Sequence, residues 1–248
     1  MKQNVSVIMP VFNEENTVAH VVGVIGSLPF VHEVIIVDDA SSDSTPDILN
    51  GLKGENIRVL THPENSGKTA AIVTALENVT GEITVIQDAD LEYDPRELEF
   101  LCDPIWEGKA DVVYGSRFLI RRASRVLYFY HYLGNRFITF FSNLFTNKNM
   151  SDIETCYKVF RSFLLTSMPI NSSGFGFEVE VTAKVSKTRA RVYEAPISYH
   201  GRTYDQGKKI SWVDGLSALW YILRYNLAPG ASTGSYIDES NRKLELLL

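Results

Sequence analysis

Cysteine is nearly absent from this sequence. Cys102 and Cys156 are the only two, and neither lies in a Cys-x-x-Cys or Cys/His spacing. A thiolate metal site and a disulfide framework are both disfavoured, and reduced thiols in a cytosolic protein are expected. Positive charge is short as well. Against 30 Asp and Glu stand 24 Lys and Arg, a formal net charge of -6, without the basic footprint that general nucleic-acid binding leaves. No uncharged apolar run reaches the ~18 residues of a membrane-spanning helix. The opening MKQNVSVIMPVFNEE passes from a strand directly into acids and lacks the pattern of a signal peptide. Internal repeats and low-complexity tracts are missing too. The chain is therefore expected to be soluble or to lie on a surface, without spanning a bilayer.

What is present is apolar and strongly patterned. Of the 248 residues 45% are hydrophobic, enough for a sizeable core in one large α/β domain. Strands expected at 5–9, 34–38, 57–61, 83–87 and 112–115 alternate with helices at 17–28, 45–52, 68–78 and 95–106. Thr45-Pro46-Asp47 suits a helix start, with proline at the first helical position and an acid in the first turn. Asn65-Ser66-Gly67 opens another helix. Such βα repetition implies right-handed crossovers and a mostly parallel sheet.

Past Arg117 the character changes. RRASRVLYFYHYLGNRFITFFSNLF, residues 121–145, is rich in aromatics and arginine. Val126, Phe129, Tyr130, Leu133, Phe137, Phe140, Phe141 and Leu144 fall at helical spacing on one broad stripe. Such a stripe fits an ordinary core-facing helix, or a helix lying in a membrane interface with its arginines at the headgroups. A second aromatic stretch, 210–227, carries Trp212, Trp220 and Tyr221. The expected organisation is one domain over 1–228, with halves meeting near 117 and a membrane-facing helix at about 121–146. A flexible tail is expected at 229–248.

Polar residues gather at the ends of the apolar strands. EITVIQDADLEYDP runs from a β-branched strand straight into Asp88, Asp90 and Glu92, which would repel one another unless something positive sat between them. The first strand ends in VIMPVFNEEN, with Pro10, Asn13 and Glu14. The second ends in VIIVDDASSDST, with Asp38, Asp39 and Ser42, and the fifth in VVYGSRF with Arg117. A core explains the strands but not the polar groups beyond them. In open α/β sheets the carboxyl ends of the strands are where ligands bind.

Taken in order, PVFNEEN, VDDASSDST, NSGKTAA, the DAD of Asp88–Asp90 and GSRF resemble the family 2 glycosyltransferases of GT-A (Rossmann-like) fold. SDIETCYKVFR, GFGFEVEV and ISYHGRTYDQGKKISWVDG resemble the branch of dolichyl-phosphate mannose synthases and polyprenyl-phosphate glucosyltransferases. The resemblance spans residues 4 to 226, nearly the whole chain. It implies that 1–117 binds a nucleotide-sugar and 118–228 an acceptor. Pro10, Phe12 and Glu14, with Asp39, would hold base and ribose, and Lys68 of NSGKTAA joins that set. Family members often have Tyr where Phe12 stands, so stacking survives here without a hydroxyl contact. Asp88 and Asp90 would hold Mg²⁺ or Mn²⁺ against the diphosphate, with Glu92 a further ligand; hard oxygens suit hard cations. Arg202, with Lys208 or Lys209, would close over the diphosphate.

The acceptor decides whether a base is needed. A polyprenyl phosphate is already ionised and calls for arginines, with Arg117 first and Arg136 next. A sugar hydroxyl, as in polysaccharide synthesis, needs a carboxylate base, and Asp152 lies where one would sit, unless it orients the acceptor loop or Lys158. Phe177 and Glu178 are read as shaping the acceptor side. The leading expectation is an inverting hexosyltransferase using GDP-mannose or UDP-glucose, inversion being implied by the resemblance. It would be peripheral at the cytoplasmic membrane face, alone, with a membrane-protein partner, or as a homo-oligomer. A non-catalytic nucleotide-sugar binder has no need of a cluster that neutralises a leaving group. Nucleotidyl transfer would need a glycine-rich basic loop after the first strand, which is missing.

Overall fold

Valine and isoleucine fill both faces of β1 (Val5–Val11), β2 (Val31–Asp38) and β4 (Ile83–Ile86), and nearly all of these side chains are buried. Strands of this composition, covered on both sides, sit at the centre of a parallel sheet. The computed structural model describes residues 4–52, 54–119, 125–126, 128–174, 176–202, 212–227 and 232–247. Helices α1 (Val18–Gly26), α2 (Thr45–Gly51), α3 (Lys68–Leu76) and α4 (Leu98–Trp106) connect the first strands. With β3 (Ile57–Thr61) and β5 (Val112–Ser116), these match the alternation expected from sequence to within a few residues at the ends.

Two strands from the second half complete the sheet. β6 (Lys158–Arg161) lies between β4 and β5 and is antiparallel to both, pairing Val159 with Val85 and with Val113. β7 (Val192–Pro196) runs parallel to β5 at the edge. The order is β3-β2-β1-β4-β6-β5-β7, a mostly parallel seven-stranded sheet flanked by helices. The reversed strand sets up the site. Because β6 points the other way, the residues that lead into it, 151–157, arrive at the carboxyl ends of β4 and β5.

A buried carboxylate pins this insertion. Asp111 accepts hydrogen bonds from Arg161 Nε (3.0 Å), Arg191 Nε (2.9 Å) and Arg191 Nη2 (2.8 Å). It thereby joins the start of β5 to the end of β6 and the approach to β7. Burial alone would raise the Asp111 carboxyl; the Arg191 and Arg161 hydrogen bonds outweigh it and hold the group below its ordinary value.

The helices after β5 complete the covering layers: α5 (Phe129–Thr146), α6 (Ser162–Thr166), α7 (Phe177–Val185), α8 (Trp212–Leu227) and α9 (Ser232–Glu245). α5 is built inside out. Its buried side carries Thr139, Ser142 and Thr146. Phe129, Tyr130, Leu133, Phe137, Phe140 and Leu144 are exposed, Phe137 by 55% and Phe140 by 65%. Phe141 and Phe145 pack partly against the core. α5 packs against α8, which adds exposed Leu216, Trp220 and Leu227. The expected aromatic helix is therefore present, and most of its stripe faces outward. The loose tail expected at 229–248 differs from the structure, in which α9 docks on the domain. Tyr236, Ser240 and Leu244, four residues apart, are buried, and Asn241 Oδ1 accepts from the Arg189 amide at 2.7 Å.

Replacing Asp111 by Ala is expected to cost about 3 kcal/mol, the low end for breaking a buried ion pair because both arginines reach solvent. Because the folded carboxyl is held low, its contribution is complete above the unfolded value near pH 4 and lost as pH falls through the folded one. Chemical denaturation of wild type and Asp111→Ala at pH 7 and pH 3 checks this: the difference between them should shrink in acid.

Candidate active site

The first loops are laced together before any ligand arrives. Asn13 Oδ1 accepts from the Ser42 amide (2.8 Å), Ser41 Oγ from the Asn13 amide (2.9 Å) and Thr45 Oγ1 from the Glu14 amide (2.9 Å). Both loops turn on a residue in the left-handed region, Asn13 (φ 53°) and Ala40 (φ 58°); for alanine that conformation costs about 1 kcal/mol. Pro10 is half-buried near the end of β1, and Phe12 presents its ring at the surface. Asp39 is used internally. Its carboxylate faces His62 Nδ1 at 2.7 Å and accepts from the Ser66 (2.9 Å) and Gly67 (2.7 Å) amides. Asp39 thus holds the entry to α3, where Gly67 adopts φ 87°.

Two carboxylates follow β4 in a half-buried cleft. Asp88 is matched by Lys68, whose Nζ lies 2.9 Å from Oδ1 and 3.2 Å from Glu178 Oε1. Asp90 accepts from the Glu92 amide at 3.0 Å, and its other oxygen stands 3.8 Å from Arg202 Nη2. Burial first, then the charges of Asp88 and Glu92, push the Asp90 carboxyl up to about 7. Added positive charge beside Asp90 would favour its ionised form. Among the described residues no three His, Cys, Asp or Glu side chains converge as a metal cage. Two aspartates with hard oxygens nevertheless fit a Mg²⁺ or Mn²⁺ ion, which Asp88 and Asp90 would hold and which would supply positive charge to the cleft.

Glu92, expected as a third ligand, does not join them. One of its oxygens accepts from the Arg202 amide (2.6 Å) and the other from Tyr199 Oη (2.9 Å), so it anchors the loop beyond β7. That anchoring carries Arg202 into the cleft, where it forms a two-pronged pair with Glu14 (3.1 and 2.6 Å). Lys208 and Lys209 lie outside the described residues.

The reversed β6 delivers the opposite wall. Arg117 and Asp152 form a bidentate pair, Nε to Oδ2 and Nη2 to Oδ1, both 2.7 Å, and the Arg117 amide adds a third bond at 3.1 Å. The guanidinium lies against the Tyr199 ring, 5.2 Å from its centroid. Asp152 is fully buried, with both oxygens committed to Arg117, and so orients Arg117 and not Lys158. Lys158 instead donates to the carbonyls of Ile153 and Thr155. Glu194 accepts from the amides of Ser151 (2.8 Å) and Asp152 (3.2 Å) and fixes this loop. Arg136 is exposed on α5, and its Nη1 reaches the Ser151 carbonyl at 3.4 Å, beside the Arg117–Asp152 pair.

Two expectations for the acceptor side change. Phe177 is core, and Glu178 faces Lys68 on the Asp88 side of the cleft. Sequence reasoning also missed Glu154, Tyr199 and Glu194. Each reaches the site from a distant segment, and only the motif strings in which Glu154 and Tyr199 stand could have pointed to them.

Comparison with known proteins agrees with this geometry. The family model described as Glycosyl transferase family 2 matches residues 6–167. The chain is 30% identical over 234 residues to the low-salt glycan biosynthesis hexosyltransferase Agl6 of Haloferax volcanii, covering 91% of this chain but 54% of that protein. It is 23% identical over 244 residues to the dodecaprenyl-phosphate galacturonate synthase of Rhizobium johnstonii, covering 93% of this chain and 70% of that one. The chain thus spans about half the length of the first relative. Among solved structures, glucosyl-3-phosphoglycerate synthase of Mycobacterium tuberculosis with Mn²⁺, UDP-glucose and phosphoglyceric acid superposes with a TM-score of 0.71. That match is 19% identical and covers 92% of this chain and 81% of the other, a likeness of fold. By sequence match and by architecture, the chain belongs to glycosyl transferase family 2 and has the GT-A fold.

Proposed function

We propose that this glycosyltransferase moves a hexose from a nucleoside-diphosphate sugar, GDP-mannose or UDP-glucose, to a polyprenyl phosphate at a membrane surface. The observation that carries this reading is the junction of Arg117 and Arg136 with the outward apolar face of α5. A lipid phosphate needs a cationic seat next to an apolar one. The Asp152 and Tyr199 contacts orient Arg117, and its Nη1 has no partner among the described residues. That leaves one edge of the guanidinium for an anion. The names of the Haloferax and Rhizobium relatives support hexose transfer and a polyprenyl-phosphate product, respectively.

The chemistry asked of the chain is the departure of a nucleoside diphosphate. A divalent cation held by Asp88 and Asp90 would supply charge neutralisation to the leaving group. Arg202, beside Asp90, adds positive charge on the same side. Phe12 offers a face for the base, and Glu14 passes from Arg202 to the ribose as the donor enters. The acceptor phosphate is ionised at neutral pH, so no residue has to remove its proton. The commitment of Asp152 to Arg117 supports that economy.

Among the described residues no helix is long and apolar enough to cross a membrane. The outward apolar faces of α5 and α8 offer docking onto a membrane surface as a route to the lipid.

Incubated with Mn²⁺ or Mg²⁺, a short-chain polyprenyl phosphate and either donor, the protein is expected to yield extractable lipid-linked hexose from one of them. Product should vanish on chelation and in Asp90→Ala. Nucleotide-sugar binding without lipid product would instead turn the reading to a sugar-hydroxyl acceptor. Phe137→Glu with Phe140→Glu should lower partition onto anionic vesicles at least tenfold, each change removing about 1.5–3 kcal/mol of apolar burial. Donor binding, measured by calorimetry, should stay unchanged.

A further inference from the structure

One side chain, Tyr199, stands between the two cations of the cleft. The backbone around it is pinned. The Ile197 amide donates to the Ser116 carbonyl (3.1 Å), the Ser198 amide to Glu97 (2.9 Å) and the His200 amide to the Glu92 carbonyl (2.8 Å). The ring rests on Tyr93, with 5.3 Å between centroids, and Tyr93 rests on the buried Tyr157 at 4.8 Å. The chain then folds back over its own tyrosine. A Cβ added to Gly201 would lie 2.7 Å from Tyr199 Cε1, well inside the roughly 3.5–4.0 Å at which carbon atoms pack. Only glycine lets the backbone pass so close. Packing alone would be served by phenylalanine, yet here the hydroxyl is spent too. It donates to one oxygen of Glu92 (2.9 Å), whose other oxygen holds the Arg202 amide (2.6 Å). The ring face, meanwhile, carries the Arg117 guanidinium at 5.2 Å.

We propose that Tyr199 is a positioning residue for both substrates, each through a different part of its side chain. The hydroxyl acts on the donor side. By fixing the Glu92 carboxylate it sets where the Arg202 backbone stands, and so keeps the Arg202 guanidinium between Glu14 and Asp90. The ring acts on the acceptor side. Asp152 grips Arg117 along one edge, and the Tyr199 face fixes the plane in which the remaining edge is presented. Because Tyr93 and Tyr157 back the ring, its place is set by the core and not by the loop that carries it. Gly201 keeps hydroxyl and backbone close enough for one carboxylate to hold both. The division of labour rests on the reading that puts the donor's diphosphate beside Arg202 and an acceptor phosphate beside Arg117.

The test uses the full chain with Mn²⁺. Calorimetry with GDP-mannose and UDP-glucose reads the hydroxyl, and the KM for a short-chain polyprenyl phosphate reads the ring. Tyr199→Phe should weaken donor binding about fivefold to tenfold, as one bond to a carboxylate is lost. Its ring is kept, so the acceptor KM should move less than about twofold. Tyr199→Leu should show the same donor loss and also raise the acceptor KM about fivefold or more, as the aromatic face goes. In the Glu92→Ala background Tyr199→Phe should change donor binding by less than about twofold, because the two substitutions remove one shared contact. Gly201→Ala, which forces ring and backbone apart, should raise both constants, and it takes the place of Tyr199→Leu if that variant is not folded. A tyrosine that merely packs would shift the two constants together, or neither, in Tyr199→Phe, and either result overturns the proposal. Donor binding without lipid product in wild type would count against the phosphate acceptor, and with it the ring's share, while calorimetry still decides the hydroxyl's.

Discussion

Acids cannot be gathered in a half-buried cleft unless each is given a cation or a proton, and the site is organised around that constraint. Lys68 stands between Asp88 and Glu178, Arg202 between Glu14 and Asp90, and Arg117 against Asp152. The three cations come from α3, from the loop beyond β7 and from the end of β5, so charge pairing ties together elements that are far apart in sequence. Asp90 is the member least well served. Its partner stands at 3.8 Å and its carboxyl is the one pushed up to about 7, which is where a divalent ion has most to offer.

The reversed strand makes this economy geometrically available. A fully parallel sheet would deliver only strand ends and the loops after them to the ligand edge. By running β6 backwards between β4 and β5, the chain brings the residues before a strand to the same edge. Asp152, Glu154 and Cys156 stand opposite Asp88 and Arg117 for that reason. The Asp111 staple at the far end of β5 and β6 keeps the insertion in register, so a contact remote from the cleft supports the wall that carries Arg117 and Asp152.

Much of this was legible in the sequence. The first five strands and four helices could be read because their β-branched runs and punctuating Pro and Gly carry local information. β6 could not be: four residues, Lys158–Arg161, are too short for a period to show. The stripe on α5 was evident, but periodicity does not say which side of a helix meets the core. The small Thr139, Ser142 and Thr146 settled that only once a neighbour was present to pack on them. Motif strings pointed to Asp88, Asp90, Arg117 and Arg202 at the cleft. They could not show that Glu92 turns to Tyr199 and the Arg202 amide, nor that Glu178 belongs with Lys68, because side-chain direction depends on residues a hundred positions away.

The inverted build of α5 separates two properties that most helices combine. Its outward-facing large side chains contribute little to folding, because the core is met by Thr139, Ser142, Thr146 and the partly buried Ile138, Phe141 and Phe145. Selection on the outer face is thus nearly independent of selection on the fold. Bulk and charge there can change while the packing beneath and the cleft are left intact. The same separation has a colloidal cost. Away from an apolar surface, exposed phenylalanine, leucine and tryptophan side chains favour the association of one copy with another, a tendency that belongs to a face with little part in holding the chain together.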